Sequence, residues 1–111
     1  MRIEEHKHGA VTVLKPAGAL VAEDAKSFGG RLRSILRSSM GRLVIDATGI
    51  AYADSTGLQL LADCARELDA GGFALKLCGV NDTVREAMEL TEIGGLFEHY
   101  AQVPDAVRSF L

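Results

Sequence analysis

The sequence predicts one α/β domain over residues 1–111: a mixed, mainly parallel sheet of four to five strands, about four helices and an N-terminal β-hairpin. Three observations predict it. Short apolar or alternating runs recur at Val11–Leu14, Leu43–Ile45, Phe73–Cys78 and Phe97–Ala101, as strands require. Stretches with apolar residues at helical spacing separate them. Strands that alternate with helices are joined by right-handed crossovers, which makes successive strands parallel.

The elements follow in order. Ile3–His8 and Val11–Leu14 flank the turn-forming Gly9 and read as the hairpin, closed by Pro16, which cannot donate to a ladder. His6 and His8 share one strand face at metal-binding spacing, but no third ligand is near, so they read as a solvated edge. Gly18–Glu23 reads as a loop and Asp24 as the cap of a helix reaching about Ser39, with Ala25, Phe28, Leu32, Ile35 and Leu36 on its inner face. Gly29-Gly30 inside that helix calls for close packing or a kink. Arg31, Arg33, Arg37 and Arg42 read as a solvated basic side. Leu43-Val44-Ile45 is a buried strand, Asp46–Ala53 a connection. Leu58, Leu61, Ala62, Ala65 and Leu68 then form the stripe of an amphipathic helix that stops at Gly71-Gly72. Phe73–Cys78 alternates as a strand. Asn81 caps a helix with Val84, Ala87, Met88 and Thr91 inward, Leu90–Gly95 is a loop, and Phe97–Ala101 is the last strand. Pro104 suits the first turn of a closing helix whose buried face is Val107, Phe110 and Leu111.

Asp54-Ser55-Thr56-Gly57 opens the central helix. The first amides of a helix lack internal partners, so Asp54 or Ser55 can be a cap and nothing more. The same place also suits chemistry. A hydroxyl there lies in a positive field beside free N–H donors, where an attached phosphate is stabilised, and Gly57 lets a partner come near the backbone.

The run from Ile45 to Leu61, IDATGIAYADSTGLQLL, resembles the signature of STAS domains, in particular the bacterial anti-sigma factor antagonists. Asp46 ends the strand, Tyr52 is the aromatic residue of the connection, and Asp54-Ser55-Thr56-Gly57-Leu58 opens the helix. The resemblance extends over nearly the whole chain. It implies a STAS-type fold and makes Ser55, directly after the aspartate, the residue phosphorylated by the anti-sigma factor, itself a protein kinase. Asp54, Thr56, Gly57, Leu58 and, on the neighbouring loop, Gly18, Leu20 and Val21 are then the expected partner-binding residues. One departure stands out: where many antagonists read Gly-Glu-Leu-Asp, this chain has Gly18-Ala19-Leu20-Val21, without either carboxylate.

Composition narrows the function classes. A net charge of −3 argues against a nucleic-acid partner, which requires a basic patch. No apolar run approaches the roughly 20 residues that cross a bilayer, and the charged start shows no secretory signal. Cys64 and Cys78 suit free thiols in a reducing compartment, so a cytoplasmic protein is expected. The chain has no nucleotide-binding glycine loop and no G-x-S-x-G elbow, and its cysteines are fourteen apart. A non-catalytic protein without a cofactor is therefore expected. The resemblance implies a binding switch that docks an anti-sigma factor kinase while Ser55 is unmodified and lets go once it is phosphorylated, with a phosphatase to reset it. The alternative is a non-phosphorylated STAS scaffold in a larger assembly, stressosome-like or a lipid-transport ATPase.

Overall fold

The computed structural model describes all residues from 1 to 111. Two strands, β1 (Arg2–His8) and β2 (Val11–Leu20), form the hairpin, with Gly9 in a left-handed conformation between them. They are followed by α1 (Ala22–Ser38), β3 (Leu43–Asp46), a one-turn 3-10 segment (Ala47–Gly49), β4 (Ile50–Ala53), α2 (Ser55–Ala70), β5 (Leu75–Cys78), α3 (Asp82–Leu90), a second 3-10 turn (Gly94–Leu96), β6 (Phe97–Tyr100) and α4 (Val103–Arg108). The sheet runs β1-β2-β3-β5-β6, with β4 also paired to β2. All pairs are parallel except β1–β2.

Alternation along the central strands divides the interior. Leu14, Ile45, Leu77 and Phe97 pack with Phe28, Leu32, Leu61, Leu68, Val84 and Met88 from α1, α2 and α3. On the opposite face Val11, Val13, Val44 and Cys78 meet Ala106 of α4. The glycine pair in α1 resolves into two cases. A Cβ at Gly29 would lie 2.8 Å from Leu60 Cδ1 of α2, whereas one at Gly30 meets nothing. Close helix packing thus accounts for Gly29 alone. The four arginines of the basic side are exposed, and so are His6 and His8 on the edge strand.

Several expectations need correction. Pro16 does not end β2, which runs on to Leu20. Its pairing with β3 stops at Leu14 and its pairing with β4 starts at Gly18, so Pro16 falls where β2 changes partner. The connection after β3 contains the strand β4, making six strands; its ladder involves only Gly18–Ile50 and Leu20–Ala53, too short to leave a pattern. Asp24 is not a cap: α1 begins at Ala22, and Asp24 instead accepts from the Met1 amino group at 3.0 Å. The alternation at Phe73–Cys78 does not carry over into burial: Leu75–Cys78, Lys76 included, is buried throughout, because β5 lies between β3 and β6 and is covered on both faces. Thr91 faces solvent and bonds back to the Ala87 carbonyl. Leu111 is 97% exposed, and α4 buries Ala106 instead, with Val107 and Phe110 half-buried.

Candidate functional site

The site lies where β2 and β4 end and α1 and α2 begin. Asp54 organises it. Its backbone amide donates to the Leu20 carbonyl at 3.1 Å, continuing the β2–β4 pairing by one bond. One carboxylate oxygen accepts from the Gly57 amide at 2.9 Å and so caps α2. The other accepts from the Ala22 amide at 3.0 Å, the first residue of α1. A single side chain therefore satisfies orphan donors of two helices and fixes their starts side by side.

With Asp54 as the cap, Ser55 is left free of that duty. It occupies the first helical position of α2 and is exposed, as is Thr56. Its hydroxyl sits at the positive end of a 16-residue helix, open to a protein approaching from solvent. Tyr52, on β4 three residues before Ser55, is 53% exposed.

Three residues expected to touch a partner are turned inward instead. Leu20 is fully buried and Leu58 nearly so. Gly57 is buried as well: a Cβ there would run into the Leu20 carbonyl oxygen and lie 2.8 Å from Leu20 Cγ. Gly57 thus allows close approach, but of β2 rather than of a visitor. Leu20, Gly57 and Leu58 form the floor, whereas Gly18 is exposed and Val21 half-buried at the rim.

The far side of β4 is held by Asn81. Its side-chain oxygen accepts from the Val84 amide at 2.8 Å, the expected cap of α3. Its amide group donates to the carbonyls of both Ile50 and Ala51 at 3.0 Å. The segment carrying Tyr52 is therefore fastened on one side by the β2 ladder and on the other by Asn81. Cap spacing revealed the first of these bonds; the other two span about thirty residues of chain and leave no local mark.

His99 lies on β6, at the other edge of the sheet, with its ring nitrogens beside the Gly94 carbonyl and the Arg85 guanidinium, so it forms no dyad with Ser55. Cys64 and Cys78 are buried, and burial, more than nearby carboxylates, pushes both thiols up to about 11. They are packing residues, not nucleophiles. No helix is long and apolar enough to cross a membrane.

Comparison with known proteins places this geometry in context. The STAS domain family profile matches residues 2–106. Among solved structures, a Thermotoga maritima protein assigned as an anti-sigma factor antagonist superposes with a TM-score of 0.87 at 18% identity, over 96% of this chain and 92% of that one. An anti-sigma factor antagonist from Mycobacterium paratuberculosis gives 0.84 at 20% identity, over 97% and 92%. The phosphorylated form of SpoIIAA, a Bacillus cell fate determinant, gives 0.76 at 15% identity, over 99% and 100%. At these identities the likeness is one of fold. No curated protein sequence matches the chain.

Proposed function

The chain belongs to the STAS domain family, and from that premise we propose that it is an anti-sigma factor antagonist: a non-catalytic, cytoplasmic binding switch controlled by phosphorylation of Ser55. One observation carries the reading. Asp54 does the capping, so the Ser55 hydroxyl stands exposed at the tip of α2 with no structural task. Unmodified, this tip and its rim (Gly18, Val21, Asp54, Thr56) dock an anti-sigma factor kinase, and a sigma factor is freed. Phosphorylation adds about −1.5 to −2 charges beside Asp54. The helix N-terminus accommodates them, so the fold persists. A partner surface shaped for a neutral hydroxyl instead meets desolvated, repelling anions. Losing roughly 3 kcal/mol of docking energy lowers affinity more than a hundredfold, and a phosphatase restores it.

The test is Ser55→Asp against an anti-sigma factor kinase. The reading expects binding to fall by at least two orders of magnitude while stability changes by no more than about 0.5 kcal/mol, the usual limit for a surface position. Normal binding by Ser55→Asp would sink charge gating at this residue. The apolar rim at Ala19 and Val21 favours a second reading, a constitutive STAS scaffold within a larger assembly. That reading expects a stable stoichiometric complex whose formation ignores the charge at position 55.

A further inference from the structure

We propose that Lys26 is the cation that receives the phosphate on Ser55, so that the modified side chain lies along the groove between α1 and α2 instead of standing free in water. The inference rests on the reading above and assigns the modified site its internal partner. A groove of about 650 Å³ separates the two helices, with Ser55, Thr56, Gln59 and Asp63 on the α2 wall and Lys26 and Arg33 on the α1 wall. The Asp54 carboxylate sets the offset between those walls by holding the Ala22 and Gly57 amides together. Ser55 is consequently level with the first turn of α1. Lys26 lies four residues past Ala22, about one turn or 6 Å along the same stripe, a span its flexible four-carbon stem can cover. Gly29, the next position of that stripe, keeps the helices close, since even a methyl group there would press on Leu60.

The surrounding charges favour this pairing. None of the ion pairs of the fold involves Lys26, including with Glu23, three residues before it. Arg33 reaches Glu67 at 4.0 Å. Asp63, the acid on the α2 wall, accepts from Gln59 at 2.8 Å and pairs with Arg66 at 3.6 Å. Both oxygens of Asp54 accept from backbone amides, and Asp24 holds the Met1 amino group. The join from β2 to α1 presents Ala19 and Val21, so no carboxylate competes from there. Lys26 is the cation of the groove without an anion, and Ser55 is where an anion would be added.

Phosphoserine installed at position 55 during translation tests this without a kinase, so the outcome does not depend on whether the proposed partner exists. Phosphorus NMR then reads the second ionisation of the phosphate, ordinarily near 6. A facing ammonium favours the dianion. Lys26→Gln is therefore expected to raise the midpoint by about half a unit at low salt, whereas Lys7→Gln, on exposed β1, leaves it in place. Lys26 is exposed, so its substitution is expected to leave the melting of the unmodified protein unchanged. A midpoint that is the same with and without Lys26, or that moves equally in both variants, would overturn the proposal.

Discussion

At the tip of α2 the polar side chains point outward, and one carboxylate, that of Asp54, keeps the backbone in place. Beneath α4 a charged side chain points inward. Lys76 is only 6% exposed. Its ammonium donates to Glu98 at 2.8 Å and stands 4.4 Å from the Phe110 ring centre and 5.6 Å from that of Tyr100. Hydrogen bonds from Lys76 and from the Tyr100 hydroxyl hold the Glu98 carboxyl below its usual range. Both regions break the apolar pattern of the chain, with opposite consequences. The Lys76 cluster satisfies its polar groups internally, which ties Phe110, in the turn that follows α4, to β5 and β6. The Ser55 tip satisfies only its backbone, which leaves a hydroxyl for something outside. Polarity in a sequence thus marks a candidate site, and the destination of its hydrogen bonds decides whether it is one.

Conditions that attack the interior should have the largest effect and leave the tip untouched. Cys64 and Cys78 remain protonated in the fold up to about 11, while the unfolded chain ionises near 9. Their contribution is fully present below pH 9 and is lost as pH rises through 11, because ionised thiols favour the unfolded chain. Denaturant melts between pH 8 and 11 should show a decline of several kcal/mol, flatter when both cysteines are alanine. Next in size is Lys76→Ala, which removes packing, two cation–π contacts and the partner of Glu98. A cost of about 3 kcal/mol in chemical denaturation is expected, with early loss of α4 amide protection in hydrogen exchange.

At the tip, effects should be smaller and local. Asp54→Ala orphans the Ala22 and Gly57 amides at about 1 kcal/mol each, so equilibrium unfolding should report a loss of about 2 kcal/mol, with faster exchange at the first turns of both helices. Asn81→Asp keeps an acceptor for Val84 and removes the donors to Ile50 and Ala51. A loss of about 1 kcal/mol is expected, with α3 intact by NMR and the β4 resonances shifted. If Asn81→Asp instead melted α3, Asn81 would be a helix cap alone and not the fastening of β4.

What the sequence revealed follows the range of the interactions involved. The helix at Ser55, the cap at Asn81, the stop at Gly71-Gly72 and the buried run Leu43–Ile45 all rest on neighbours within a few residues. Long-range pairing hid the rest. β4 exists because Gly18 and Leu20 lie alongside it. Phe73–Cys78 alternates in sequence, yet Lys76 is buried with its neighbours, because β5 is covered on both sides. Gly57 and Leu58 were placed at the right end of the right helix, but only contact with Leu20 shows that they face inward. Asp54 was read as one of two possible caps. That it also holds α1, 32 residues back, is a tertiary fact.

The central claim is that Ser55 is a substrate side chain and not a structural one. Incubation with ATP and an anti-sigma factor kinase, followed by mass spectrometry of the peptide containing residues 54–58, tests it most directly. The account predicts phosphate on Ser55 that disappears in Ser55→Ala while the protein still folds and Thr56 stays unmodified. A kinase that binds the protein tightly yet leaves Ser55 unlabelled, or labels Thr56 in its place, would contradict it.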